Sequence, residues 1–151
     1  MTPIYATLGD LAYGISAGYG EVHFTIRSWS TDLMSKRSQE IVARMEETCK
    51  KHKLSPNISW TQVFHANINH PSAVEYVRNA AIRNNLELVE RTYPFRWGED
   101  FGLFTQKYKG AMFGIGAGVD CPALHNPDYD YPDEITDTSI RMFHQIIQQI
   151  L

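Results

Sequence analysis

Hydrophobic and polar positions along this chain fall into two repeating patterns, one of period two and one of period 3.6. Thr2–Leu8 is rich in β-branched and aromatic residues and is punctuated by Gly9-Asp10, which predicts a first strand. Residues 22–27 alternate cleanly, with Val22, Phe24 and Ile26 on one face and His23, Thr25 and Arg27 on the other, the pattern of a half-buried strand. The glycines ahead of it, Gly14-x3-Gly18-x-Gly20, miss the spacing of the dinucleotide fingerprint and no helix follows them, so a bent hairpin is expected and not a phosphate loop. From Ser30 or Thr31 to about Leu54, the residues Met34, Ile41, Val42, Met45 and Cys49 share one stripe while charged residues cover the rest, predicting a helix packed on a sheet. Its end, Lys50-Lys51-His52-Lys53, is what a helix dipole favours and reads as a solvated face before an anion site. Residues 57–64 alternate again, with Ile58, Trp60, Gln62 and Phe64 on one side, and predict a third strand.

At Asn67-Ile68-Asn69-His70-Pro71 the character changes, which places a domain boundary there: 1–66 and 67–151. Pro71 suits the first position of a helix running to about Asn85, with Val74, Val77, Ala80 and Ala81 inward. A short strand at 87–90, a loop through Tyr93-Pro94-Phe95-Arg96-Trp97-Gly98 and a helical turn over 99–107 follow. Ala111-Met112-Phe113-Gly114-Ile115-Gly116 has the look of a buried strand running into glycines, and 121–133 is rich in turn residues. A last amphipathic helix begins near Thr136, its apolar face made by Ile140, Phe143, Ile147 and Leu151 with Met142 and Ile146 beside them. The expected class is therefore a mixed α/β chain: strand-strand-helix-strand, then an alternating α and β section, without repeats, low-complexity runs or a flexible linker.

Composition narrows the partners. Fourteen Lys and Arg against seventeen Asp and Glu give a net charge of -3, so no cationic field is present to hold a phosphate backbone, and nucleic acid is not expected as a partner. The apolar stretch 111–119 is interrupted by glycines and is far shorter than the ~20 residues of a membrane span. Met1-Thr2-Pro3-Ile4-Tyr5 lacks the basic start and apolar run of a signal peptide, and Cys49 and Cys121 make no disulfide framework. A soluble protein of the reducing cytoplasm is the expectation.

The richest chemistry lies in Leu124-His125-Asn126-Pro127-Asp128-Tyr129-Asp130-Tyr131-Pro132-Asp133-Glu134, which sets one imidazole on a turn directly after a strand and a glycine run. A neutral imidazole there can bind a metal ion through one nitrogen while Asp128, Asp130 or Asp133 orients the other; it can equally stabilise the turn, with the aspartates solvated. Gly98-Glu99-Asp100-Phe101 places two carboxylates at a helix start, where exposed N–H groups favour negative charge, or where Glu99 and Asp100 stand behind a metal site. His23, His65, His70 and His144 form no His-x-x-x-His pair, and no Cys-x-x-Cys occurs, so no familiar zinc spacing is complete.

Taken in order, Gly98-Glu99-Asp100-Phe101-x-x-Phe104, Gly110-Ala111-Met112-Phe113-x-Ile115-Gly116 and Leu124-His125-Asn126-Pro127-x-Tyr129-Asp130-Tyr131-x-Asp133-Glu134 resemble the C-terminal end of the zinc amidohydrolases related to aminoacylase and carboxypeptidase G. Upstream, Gly18 to Ser28 is similar to the hairpin strand ending in Arg of that family's ferredoxin-like lid, followed by the lid's long helix; His65 to Pro71 looks like the return from lid to catalytic domain. The resemblance covers essentially the whole chain. It implies a pair of metal ions, normally zinc, bridged by a carboxylate and a water, a glutamate general base, and cleavage of N-acyl amino acids or short peptides. His125 alone maps onto a metal ligand; the remaining ligands and the base belong to an N-terminal part with no counterpart here. The resemblance thus implies a fragment, 1–66 from the lid and 67–151 from the end of the catalytic domain, inactive by itself and holding no zinc stably. It further implies Arg27 as a contact for the substrate carboxylate, Asn67 and Asn69 as polar contacts near the cleft, Glu99 and Asp100 as supporting groups, and pairing of subunits through the lid. The alternatives are a non-enzymatic ferredoxin-like dimerisation or ligand-binding module, and a small self-contained hydrolase built on His125, Asp128 and Asp130.

Overall fold

The structure is a computed structural model that describes residues 1–151. It divides into two compact units, Met1–Ala66 and Asn67–Leu151.

In the first unit, β1 (Thr2–Leu8) and β2 (Gly20–Thr25) pair antiparallel as a two-stranded sheet, with Tyr5 opposite His23 and Leu8 opposite Gly20. An irregularity between Pro3 and Tyr5 leaves Ile4 unpaired, a bulge beside a proline that has no N–H to give to the ladder. The connection closes through the Gly9 N–H donating to the Tyr19 carbonyl at 2.8 Å. Gly9 has φ +60, and a Cβ there would lie 2.9 Å from the Ala17 Cβ, so only glycine fits this turn. The hairpin expected from the glycine spacing is therefore present, but Val22 and Phe24 remain 48% and 38% exposed, so the alternating face is open where a half-buried one was expected.

Helix α1 (Thr31–Lys51) starts on Ser30, whose hydroxyl accepts from the Leu33 N–H at 3.2 Å. It ends with Lys53 in the left-handed region: Leu54 N–H donates to the Cys49 carbonyl and Lys53 N–H to that of Lys50, a Schellman closure. Its stripe of Met34, Ile41, Val42, Met45 and Cys49 is half-buried as the periodicity predicts. No α-carbon of α1 comes within 8 Å of one in β1 or β2, however; approaches that close are confined to β1 with β2 and α2 with α4. The expected third strand over 57–64 also fails to form. Gln62 sits at φ 51, which breaks the extended run, and no strand of the sheet pairs with it. The ferredoxin-like strand-strand-helix-strand arrangement thus reduces to a hairpin and a helix.

In the second unit, α2 (Pro71–Arg83) has proline at its first position and His70 as N-cap, its Nδ1 accepting from the Ser72 N–H at 3.2 Å. It closes by the same motif on Asn85 (φ 53), with Leu86 N–H donating to the Ala81 carbonyl at 3.0 Å, which swings Leu86 back onto the core. A single turn, α3 (Phe101–Thr105), precedes α4 (Glu134–Gln148). The core is small: Ala80, Ala81 and Met142 are buried, with Val77, Leu86, Phe113, Ile115 and Ile146 packed around them. α4 therefore faces α2 through Met142 and Ile146, while Ile140, Phe143, Ile147 and Leu151 stay 52–96% exposed. The stripe that sequence periodicity marks as the helix's apolar face is the open one. Segments 87–90 and 111–116, read as strands, run without a ladder partner, because the one sheet of the chain is the β1–β2 hairpin.

The total accessible surface is 12923 Å². Two separate compact bodies of these masses would together expose about 9,400 Å², so both units hold apolar area that their own packing does not cover.

Candidate functional site

The second unit carries most of the candidate groups. Phe113 and Ile115 pack on the α2–α4 core, and the Phe113 and Phe143 rings sit 5.6 Å apart. Gly114, between them, meets the Phe95 ring on the other side: a Cβ at Gly114 would lie 3.2 Å from Phe95 Cζ. Phe95 is itself stacked on Trp97 at 4.2 Å, with the Arg91 guanidinium 4.8 Å from its centroid. The segment so clamped leads into a shallow groove of about 430 Å³ walled by residues 117–122 and 130–134.

His125 lies on the loop that joins these two walls and is exposed. Asn126 N–H donates to the Ala123 carbonyl at 3.0 Å, closing a turn whose third residue is His125, at φ 71. That is the position where a type II turn calls for glycine; a histidine there carries a cost of about 1 kcal/mol or more. Lys53, Gln62 and Asn85 share this left-handed conformation. No group of three or more His, Cys, Asp and Glu side chains gathers anywhere in the chain. The self-contained arrangement of His125 with Asp128 and Asp130 is therefore corrected: a catalytic zinc takes three protein ligands, and the donors present here do not fit one.

Glu99 and Asp100 precede α3, both exposed. Asp100 occupies the N-cap position with helical backbone angles and makes no side-chain cap hydrogen bond, so capping does not account for its carboxylate.

Asn67 and Asn69 lie together at the start of the unit. Asn69 Nδ2 donates to the Met112 carbonyl at 2.8 Å, and Asn69 Oδ1 accepts from the Met112 N–H at 2.9 Å and from Asn67 Nδ2 at 2.8 Å. His70 N–H donates to the Gly110 carbonyl at 2.8 Å. A side-chain amide thus supplies to segment 110–112 the bonds that a neighbouring strand would give. Asn67 Oδ1 and, in the first unit, His65 Nδ1 are buried without a hydrogen-bond partner. Residue type gave no sign of these two orphaned atoms, since burial of a single polar atom is a tertiary property.

Arg27 belongs to the first unit, two residues beyond β2, and is exposed. The same hairpin carries a small polar cluster that spacing had not marked. His23 Nε2 is 2.5 Å from Glu21 Oε1, Tyr19 OH donates to Glu21 Oε2 at 3.3 Å, and the Tyr5 and His23 rings lie 5.1 Å apart. The His23 hydrogen bond holds the Glu21 carboxyl below its usual range, and the Glu21 charge raises the Tyr19 phenol. No helix is long and apolar enough to cross a membrane, and both cysteines are free.

Compared with known proteins, residues 5–149 match the family described as peptidase family M20/M25/M40. Among curated proteins, N-acetyldiaminopimelate deacetylase of Bacillus licheniformis is 29% identical over 135 residues, covering 89% of this chain and 36% of the relative. The enzymes of the same name from Bacillus velezensis and Lactobacillus helveticus are 28% and 27% identical, covering 89% and 85% of this chain and 37% and 34% of their own lengths. The chain spans about a third of the length of the curated relatives it matches. No solved structure matches it.

Proposed function

Because the chain belongs to peptidase family M20/M25/M40, we propose that it is the portion of a metal-dependent amidohydrolase that holds part of the lid, 1–66, and the end of the catalytic domain, 67–151, and that the whole enzyme cleaves N-acyl amino acids or short peptides. The observation that carries the reading is His125: an exposed imidazole, with its backbone in the left-handed region, on the loop that follows residue 122 and precedes residue 130 of the groove lining.

In this reading His125 is one metal ligand, and the other ligands and the general base come from sequence beyond these residues. By itself the chain binds zinc weakly and hydrolyses nothing, since one imidazole is far short of a site. Arg27 receives the substrate carboxylate, because a planar guanidinium matches it in two parallel hydrogen bonds where a lysine would offer a point charge. Glu99 and Asp100, of which Asp100 makes no side-chain cap bond, support the site beside it. Asn67 and Asn69 hold the polar edge of the cleft. The names of the relatives make N-acetylated diamino acids the first substrates to assay. With both thiols free, the cytoplasm is the fitting compartment. Both outer edges of the two-stranded sheet are open, and pairing of two lids there gives a homo-oligomer.

The test joins this chain to the N-terminal two thirds of the Bacillus licheniformis relative and follows metal-dependent release of amino acid from N-acetyl substrates. Activity should appear only in the joined protein. His125→Ala should abolish it, and Arg27→Lys should raise KM far more than it lowers kcat. Full activity in His125→Ala would overturn the assignment.

A further inference from the structure

Two contacts seven residues apart fix the rotation of α4 about its axis. Met142 is buried against Ala80 and Ala81, and Gln149 Nε2 donates to the Tyr76 carbonyl of α2 at 3.0 Å. The side turned away from α2 carries Thr136, Ile140, Phe143, Ile147 and Ile150, spaced four, three, four and three. The last four are apolar and 52–64% exposed. Ile150 N–H donates to the Ile147 carbonyl at 3.0 Å, which carries the helical turn on to the end of the stripe. An average spacing of 3.5 in a strip one residue wide is the seam that receives another helix; a helix facing a sheet or a globular core has a broader apolar face. Polar side chains flank it, among them Asp137 and Arg141, paired at 2.9 Å. Beside it lies a groove of about 410 Å³ lined by Tyr131, Ser139, His144 and the stripe itself, room for the side chains of an incoming helix.

We propose that this seam binds the same seam of a second copy, the two α4 helices lying antiparallel about a two-fold axis. One register then pairs all four apolar residues: Ile140 with Ile150 of the partner copy, and Phe143 with its Ile147. Charge selects the direction. The first turn of α4 carries Glu134 and Asp137 and its last turn no basic residue, so a parallel pair would bring four carboxylates and like ends of two dipoles together, whereas an antiparallel pair separates them and opposes the dipoles. The area suffices as well. The four side chains and Leu151, 96% exposed, offer roughly 600 Å² per copy and about 1,200 Å² for the pair, where a specific interface needs about 1,000 Å². A contact that closes on itself by two-fold symmetry stops at the dimer. This pairing uses the second unit and needs nothing of the open edges of the hairpin.

The experiment uses the full chain. Sedimentation equilibrium should give twice the chain mass at high concentration, and Ile147→Glu should return it to one chain mass at the same concentration, since each copy would set a carboxylate against the partner's Phe143. Exchange of the Leu86 amide, unchanged in this variant, shows that the α2–α4 core is intact. Direction is read by cross-linking with Cys49 and Cys121 both replaced by serine. A mixture of the Ile140→Cys and Ile150→Cys chains should form the mixed disulfide dimer on oxidation, and Ile140→Cys alone should not, because antiparallel helices hold its two copies ten residues out of step, far beyond disulfide reach. A strict monomer, or an Ile147→Glu chain that still pairs, would overturn the proposal, the second result pointing to the hairpin edges. Self-linking of Ile140→Cys would overturn the antiparallel direction. If Ile147→Glu leaves the mass of the chain unchanged and instead keeps the joined protein from folding, the seam belongs to the rest of the hydrolase and not to a second copy.

Discussion

Two residues two positions apart in α4 separate what periodicity says from what packing says. Met142 is 3% exposed against Ala80 and Ala81, whereas Ile140, on the stripe that the sequence marks, is 63% exposed. Truncating a buried methionine to alanine costs about 2–5 kcal/mol, and in a core of three buried residues little else can collapse into the gap. Ile140 retains about a third of its burial, so Ile140→Ala should cost about 1 kcal/mol or less. The reporter is local: the Asn84 and Leu86 amides donate to Ala80 and Ala81 carbonyls at the end of α2, directly over the Met142 side chain's neighbours. Amide exchange there follows the opening free energy of the unit. Met142→Ala should speed both amides by about 30-fold or more, and Ile140→Ala by less than about fivefold. If Ile140→Ala accelerates them as much as Met142→Ala, α4 is turned the other way and the core described here is wrong.

Other outcomes can be checked with small effort. The exposed apolar area should drive association, so light scattering should give a mass that rises with concentration, and a strict monomer at high concentration would contradict it. Glu21 titrates below the usual carboxylate range because His23 bonds its charged form, so its contribution to the hairpin is in place above that range and is lost as pH falls through the lowered value. An NMR titration of Glu21 in the unmodified chain and in His23→Ala should show the midpoint move up in the variant; no movement would remove His23 as the cause. His125→Gly should stabilise the 123–126 turn by about 1 kcal/mol, read as slower exchange of the Asn126 amide, and should abolish hydrolysis in the joined protein. Slower exchange with hydrolysis intact would separate the strain from the chemistry.

How much of this was legible in the sequence depended on whether the signal was local. Ser30 as a cap, Pro71 at a first helical position and the hairpin glycines act through bonds within a few residues, and the structure holds each of them. The α2 core positions Ala80 and Ala81 were also readable, since a helix with one apolar stripe has one way to turn. α4 was not, because it is apolar on two sides and the period cannot say which side a given neighbour takes. The three missed strands fail for a related reason. Alternation at 57–64, and apolar runs at 87–90 and 111–116, record the burial a strand would have, and pairing needs a second strand that the chain does not place beside them. At Gln62 the backbone turns left-handed instead, and at Met112 a side-chain amide takes the ladder's place.

The candidate site shows the same division. His125 was found by residue type, by position after a glycine run and by family resemblance; the left-handed backbone that the structure adds is one it shares with Lys53, Gln62 and Asn85, and no spacing rule announces it. Glu99 and Asp100 had a bland role open to them, and the structure bears on it only at Asp100, whose side chain makes no cap hydrogen bond. Asn67 and Asn69 were marked as a pair of equals, yet their bonds make them unlike: one amide is fastened to Met112, the other is left with an oxygen facing nothing. Open strand edges and a helix with a second apolar face both describe surfaces that these 151 residues leave uncovered. That common character is what a third of a larger hydrolase would have, and it makes complementation, not the behaviour of the chain alone, the decisive measurement of its chemistry.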